Sequence, residues 1–350
     1  MKVWRIGLIG CGSVSYQYGK TIAASTSAEI VSCWDTDPER MGRFSQTNGV
    51  RSAGSFNDLV LDEHIDVVLN LTDPRSHFEV SLMSLDAGKH VYSEKPLALS
   101  LSDAGNLVVL ADQRNVRLGC APDTFMSPPL VYACNAIKDG LIGQVFGFTA
   151  SLLCIGHEWW HPRPDYYYSN GGGPLWDMGP YYVSALSELL GPVRRVCSSS
   201  TTGFKTRYSH APGAQPIAVS TPTHICSILD FEDAVVGTLV TSFDVWKSSA
   251  PFIEIYGSLG TMRLPDPNEY FGEVETWMPP RSGRWKDQSW NSVFVGDKVS
   301  APTRGIGLLQ MLKSIENGEP HLANGERAVQ VVKVLNALSE SQYTGKFVTI

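Results

Sequence analysis

An apolar stretch near the N-terminus, Ile6-Gly7-Leu8-Ile9, runs straight into Gly10-Cys11-Gly12 and then into helix-compatible sequence from Ser13-Val14 onward. A strand that turns on two glycines one residue apart and enters a helix is a place to hold a pyrophosphate. Gly10 permits the tight turn and Gly12 lets backbone approach the phosphates. The helix start at Ser13 and Val14 presents unpaired N–H groups and a positive dipole end to the anion. The third position of this pattern, ordinarily Gly or Ala, is Ser15. A second apolar stretch, Ile30 to Trp34, ends in Asp35, twenty-three residues past Gly12, near where an acid would accept the hydroxyls of an adenosine ribose. Strand, glycine turn, helix, strand and acid together point to a dinucleotide on a βαβ unit. Asp35 would repel a ribose 2′-phosphate, and Asp37 and Glu39 add negative charge with Arg40 alone to offset it. NAD is therefore expected in preference to NADP.

At 350 residues the chain exceeds what one hydrophobic core usually serves, so two domains are expected. A formal net charge of −7 and no Lys/Arg cluster argue against a nucleic-acid partner, which needs a concentrated basic surface. The seven cysteines stand singly, in neither a disulfide framework nor a zinc pattern. No apolar run approaches the roughly 20 residues a membrane span requires, and the N-terminus enters the first strand without a cleavable signal. These features lead to the expectation of a cytoplasmic protein with a small-molecule substrate.

Residues 1–121 alternate short apolar runs with amphipathic segments, the pattern of a doubly wound parallel α/β sheet. After the first two strands come Ile65 to Leu71, His90 to Tyr92 and Val116 to Cys120, with helices expected over Ser76 to Ala87 and Ser102 to Arg114, the latter capped by Ser100 or Ser102. Such sheets bind ligands beyond the carboxyl ends of their strands, where Thr72-Asp73-Pro74-Arg75-Ser76-His77 and Glu94-Lys95-Pro96 fall. Residues 122–350 read as an α+β domain with an open, mostly antiparallel sheet, built from runs such as Val145 to Leu153, Thr223 to Phe231, Ala234 to Phe243 and Phe252 to Tyr256. Phe231 to Ala234 suits a hairpin turn, and residues 264–305 a long loop with one or two strands. A last amphipathic helix, about 324–343, has the spacing to pack back on the first domain.

Lys95, between an acid and a proline at a strand end, has two readings: an ordinary solvated surface lysine, or a group that binds a substrate hydroxyl or itself helps remove its proton. Gly171-Gly172-Gly173 opens an aromatic-rich helix on which Asp177 and Tyr181, four apart, share a face. They are either substrate groups or, respectively, a dipole partner and a core aromatic.

In their order along the chain, Gly10-Cys11-Gly12, Asp35, Thr72 and Pro74 with His77, Glu94-Lys95-Pro96, and Gly171-Gly172-Gly173 with Asp177 and Gly179 resemble the Gfo/Idh/MocA family of nicotinamide-dependent oxidoreductases. The resemblance spans essentially the whole chain. It implies hydride transfer between NAD(P) and a secondary alcohol carbon of a sugar, cyclitol or related polyol, on a homodimer or homotetramer. Thr72, Pro74, His77, Glu94 and Lys95 would lie at the cofactor with the glycine turn, Asp35 and Arg40. Lys95 would contact the reacting hydroxyl, and Asp177 would orient neighbouring hydroxyls. Where the family more often has a histidine as general acid/base, this chain has Tyr181. A phenol, with a reference pKa of about 10, can serve if a neighbouring ammonium lowers it. Two other readings stay open: an NAD-dependent glycoside hydrolase acting by transient oxidation and elimination, and a non-catalytic dinucleotide-binding regulatory protein.

The segment Gly156-His157-Glu158-Trp159-Trp160-His161, followed by Asp165-Tyr166-Tyr167-Tyr168, mixes aromatic platforms with hydrogen-bonding groups as a sugar site would, or else packs a subunit interface. Trp160 and His161 are candidate substrate contacts, with Tyr182 on the following helix. The spacing of His157, Glu158 and His161 is not that of a helical His-Glu-x-x-His site, so no metal is expected.

Overall fold

The first third of the chain builds its sheet around central strands too apolar to face water. β1 (Trp4–Ile9), β2 (Ala28–Trp34), β3 (Arg51–Ser52), β4 (Val67–Asn70), β5 (His90–Ser93) and β6 (Leu118–Cys120) lie in the order β3-β2-β1-β4-β5-β6, all pairings parallel. β4 is buried along its whole length, as expected of a central strand covered on both faces. This is the strand order of a dinucleotide-binding sheet, whose order reverses between β1 and β4. This computed structural model describes the chain apart from residues 1, 162, 210–212, 214, 281–288 and 297–303.

Helices alternate with these strands: α1 (Ser13–Ala23), α2 (Pro38–Asn48), α3 (Phe56–Val60), α4 (His77–Asp86) and α5 (Leu101–Arg114). Their ends follow local chemistry. Asp37 caps α2 by accepting from the backbone N–H groups of Glu39 and Arg40, Pro38 opens it, and Gly49 closes it in the left-handed region. Ser100, not Ser102, caps α5 by accepting from Asp103 N.

The second part of the chain carries α6 (Pro128–Lys138), β7 (Val145–Leu153), α7 (Gly173–Leu190), β8 (Val193–Thr201), a short antiparallel pair β9 (Thr206–Arg207) and β10 (Ile217–Ala218), then β11 (His224–Phe231), β12 (Val236–Ser242), β13 (Ile253–Gly257), β14 (Thr261–Leu264), β15 (Gly272–Trp277) and β16 (Asn291–Gly296). α8 (Ile306–Asn317), α9 (Gly325–Thr344) and β17 (Val348–Thr349) complete it. Nine strands form a mixed sheet ordered β16-β15-β14-β13-β7-β12-β11-β8-β17. Only the β7–β12 pair is parallel among the pairings described. The turn joining β11 to β12 contains Ala234 at φ 60°, in the expected hairpin. Of the expected loop at 264–305, β15 and β16 occupy two stretches, and residues 281–288 and 297–303 lie outside the described residues. α6 was not expected: its Pro128-Pro129 start looks like a turn, yet proline at the first helical positions initiates a helix.

The chain divides into two compact units, residues 1–123 with 302–332 and residues 124–301 with 333–350. A single cut after residue 121 therefore does not describe the path: the chain re-enters the first unit with α8 and the beginning of α9. The core of the first unit includes Leu59, Val68, Leu85, Val91 and Leu107, joined by Ala328 and Val332 of α9. In the second unit α7 lies against β7, β11 and β12, and its Trp176 indole donates to Ser339 Oγ at 3.2 Å. No helix among the described residues is long and apolar enough to cross a membrane.

Candidate active site

In the first unit the glycine turn has the shape its sequence requires. Gly10 sits at φ 95°, and a side chain there would run into the Leu71 carbonyl. Gly12 has ordinary dihedrals, caps α1 without any side-chain bond, and a Cβ placed on it meets nothing within 4 Å. The open space in front of the uncapped N–H groups of Ser13 and Val14 is a cradle that fits a pyrophosphate. Ser15 meets the third fingerprint position by folding inward: it is fully buried and its hydroxyl donates to Gly12 O at 2.6 Å. Gly12→Ala should therefore leave the thermal unfolding midpoint near that of the parent while weakening NADH binding about tenfold or more, from the 1–3 kcal/mol that an extra carbon costs in a filled space. Gly10→Ala should lower the midpoint itself. Calorimetry for binding and a thermal melt separate the two.

Asp35, at the end of β2, accepts from Cys11 N at 2.8 Å, Asp37 N at 2.8 Å and Arg40 Nη2 at 2.6 Å. Burial alone would raise its pKa, but the Arg40 and backbone hydrogen bonds outweigh it and hold the carboxyl below its ordinary value. The acid stays ionised, ties the glycine turn to β2, and carries Arg40 with it.

The Thr72 segment and the Lys95 turn are joined by buried polar groups. Asn70, fully buried at the end of β4, accepts from Thr72 Oγ1 at 2.7 Å and donates to His77 O and Ser81 Oγ, both at 3.0 Å. Pro74 opens a single 3₁₀ turn capped by Asp73. His77 Nδ1 lies 2.7 Å from Pro96 O and Nε2 lies 3.0 Å from Thr72 O. Burial drives the ring toward its neutral form although both carbonyls favour the cation. The cofactor contact expected of His77 is thus corrected: a fully buried imidazole facing backbone carbonyls on both edges joins two loops and has no edge left for a ligand. Glu94, also expected at the cofactor, is buried with Oε1 accepting from Tyr18 OH at 2.9 Å and Oε2 accepting from Lys95 N at 3.0 Å. The Lys95-Pro96 peptide is cis.

In the second unit the triple glycine is dictated by a close approach: a Cβ on Gly172 would collide with Tyr166 O. Asp177 lies in the second turn of α7, and its Oδ2 is 2.8 Å from His157 Nε2, with the two side chains 11% and 13% exposed. His157 belongs to the loop after β7, and its ring packs against Tyr167 at 4.3 Å, Phe243 at 4.6 Å and Trp160 at 5.2 Å between centroids. Its backbone N–H donates to Tyr168 OH at 3.3 Å.

Behind it is a buried charge network. Arg207, 4% exposed, donates to Glu158 Oε1 at 2.9 Å, Ile155 O at 3.0 Å and Phe243 O at 2.7 Å, and pairs with Asp244. Tyr168 OH donates to Glu158, and burial, together with that carboxylate, pushes its pKa up.

Tyr181 is 5% exposed. Trp160 is 64% exposed, and the half-buried His161, 5.3 Å from it between ring centroids, is shifted toward the neutral form by burial and then by His157. Tyr182 is corrected: it is fully buried, its hydroxyl donates to Ser151 O at 3.1 Å, and burial pushes its pKa well up. It is a core residue beneath the sheet. The partnership of His157 with Asp177 was not foreseen, because a loop returning to a helix twenty residues later leaves no periodic trace.

Residues 4–121 match the model of an oxidoreductase family with an NAD-binding Rossmann fold, and residues 131–263 match that of the GFO/IDH/MocA C-terminal domain. The chain is 32% identical over 207 residues to 1,5-anhydro-D-fructose reductase of Ensifer adhaerens, covering 57% of this chain and 61% of the reductase. It is 25% identical over 269 residues to D-apiose dehydrogenase of Paraburkholderia graminis, covering 75% of this chain and 68% of that enzyme. The match thus spans about three fifths of the reductase's length. Among solved structures, levoglucosan dehydrogenase in complex with NADH and levoglucosan superposes with a TM-score of 0.83 at 19% identity over 100% of both chains. An NAD-binding oxidoreductase of Klebsiella pneumoniae superposes with a TM-score of 0.81 at 22% identity over 99% of each. At those identities the structures speak for a shared fold. With models of both of its domains matched, the chain belongs to the Gfo/Idh/MocA family of oxidoreductases.

Proposed function

We propose that this protein is a dehydrogenase or reductase that moves hydride between NAD, in preference to NADP, and a secondary alcohol or ketone carbon of a sugar, cyclitol or related polyol. The observation that carries the reading is the double anchoring of Lys95: Glu94 accepts its backbone N–H and His77 faces the carbonyl of Pro96. A lysine whose backbone is fixed on both sides just past the carboxyl end of a strand starts its side chain from a set point, unlike one on a mobile surface turn.

Gly10, Gly12, Ser13 and Val14 would hold the pyrophosphate, and Asp35 with Arg40 would face the adenosine ribose. When bound, the dinucleotide supplies the acceptor or donor for hydride. Lys95 binds the reacting oxygen through Nζ and stabilises negative charge on it, which favours departure of the hydroxyl proton. Asp177 accepts hydrogen bonds from neighbouring hydroxyls and fixes which carbon reacts. Trp160 and His161 offer an apolar face and a polar edge to a carbohydrate ring. The names of the relatives, a 1,5-anhydro-D-fructose reductase and a D-apiose dehydrogenase, support this substrate class.

The test is a screen of pyranoses, cyclitols and their keto forms with purified protein, followed by NADH absorbance. Turnover with members of this class supports the reading, and no change with any of them, with either dinucleotide, overturns it. Cleavage of a glycoside without net NADH would instead favour the hydrolase. NADH should bind more tightly than NADPH because Asp35 repels a 2′-phosphate. Tighter NADPH binding that Arg40→Ala abolishes would overturn the cofactor assignment.

A further inference from the structure

We propose that His157 is the proton-transfer residue of this enzyme, with Asp177 as the carboxylate that orients it, in place of Tyr181. The inference rests on the proposed function and concerns which group moves the proton.

An ionised carboxylate only accepts hydrogen bonds, so the 2.8 Å contact between Asp177 Oδ2 and His157 Nε2 fixes the proton of the neutral ring on Nε2. Nδ1 is then the basic nitrogen, and it makes no hydrogen bond to any described residue. A histidine oriented by a carboxylate through one nitrogen, with the other available, is the arrangement of a general base. A phenol at Tyr181 would need a large downward pKa shift to do the same work near neutrality. The imidazole absent from α7 reaches the same carboxylate from the loop after β7.

That loop is fixed to a degree that a surface turn would not require. Tyr167, Phe243 and Trp160 close around the ring. Tyr168 OH receives the His157 backbone N–H, and Arg207 binds Ile155 O and Glu158 on either side of His157. The titratable and charged groups around His157 are Asp177 on α7, His161, Tyr167 and Tyr168 on its own loop, and Glu158, Arg207 and Asp244 behind it.

In the oxidative direction the substrate O–H bond breaks and its proton passes to Nδ1. A bound oxidised dinucleotide would take the hydride and its electron pair from the same carbon, so that the C–O bond becomes a carbonyl. The imidazolium returns the proton to water. Reduction runs the same path backwards.

His157→Gln removes the base. It should lower kcat for oxidation by about 10²- to 10⁴-fold, with the NAD affinity retained and the acid limb of the kcat/KM profile lost. Free imidazole should restore part of the turnover of His157→Ala. Tyr181→Phe should lose less than about tenfold. A measurement independent of turnover is histidine side-chain NMR of the full-length protein without cofactor: Asp177→Asn should move the His157 Nε2 resonance. Retention of turnover by His157→Gln with collapse in Tyr181→Phe would overturn the assignment while leaving the proposed function standing. So would a His157 signal indifferent to Asp177→Asn. Absence of dinucleotide-linked turnover in the parent protein would overturn the function and this assignment together.

Discussion

Lys95→Ala is expected to lower turnover by about 10²- to 10⁴-fold, the range for losing a group that acts on the proton-transfer step, with little change in unfolding midpoint or in NADH affinity. The separation follows from the local architecture. The backbone at Lys95 is held by Glu94 through its N–H and by His77 through Pro96 O, and neither contact uses the lysine side chain. Pyrophosphate binding is assigned to the Gly10 turn on another strand end. The ammonium can therefore be removed with the turn left in place. Steady-state kinetics, NADH titration and a thermal melt test the three parts. A Lys95→Ala protein with turnover within about tenfold of the parent would remove the lysine from the mechanism, and one that fails to fold would show that its side chain carries structure.

Arg207→Met is expected to destabilise the second unit by about 3–5 kcal/mol, the usual cost of leaving a buried ion without its partner. The guanidinium is nearly inaccessible and faces Glu158 and Asp244 together. Methionine fills similar space but strands two carboxylates away from water. Because the three charges act as a set, Arg207→Met combined with Glu158→Gln and Asp244→Asn should recover much of the loss instead of adding to it. Denaturant unfolding of the single and triple variants measures the difference. A single-variant loss below about 1 kcal/mol would mean that water reaches the carboxylates and the network is not the anchor described here.

What could be read from the chain in advance follows from how local each signal is. The glycine turn, Asp35 and the alternating strands are short-range features, and the folded unit has them where the spacing puts them. The hairpin at Phe231 to Ala234 and the last helix are local in the same sense. His77, Glu94 and Tyr182 have polar groups of the kind that face ligands, yet their partners are a proline carbonyl, a tyrosine of α1 and a carbonyl of β7, each far along the chain. No periodicity records such pairings. The same reason hid Arg207 behind the aromatic loop. The departure at Tyr181 was visible as a missing histidine, but its counterpart at His157 required the folded loop.

The histidine that faces Asp177 is not on the helix that carries the carboxylate, so the two can change independently. A loop is the part of a fold most tolerant of insertion and replacement, which would let substrate choice drift by rebuilding residues around Trp159 and Trp160 while α7 stays fixed. The anchoring limits that freedom. Any graft of a foreign loop onto this scaffold must either supply its own partner for Arg207 and Asp244 or replace both, since the donor and acceptor lie on β9 and just past β12, outside the exchanged segment. For an engineer seeking a new sugar specificity, the exchangeable unit is therefore the loop together with these two residues.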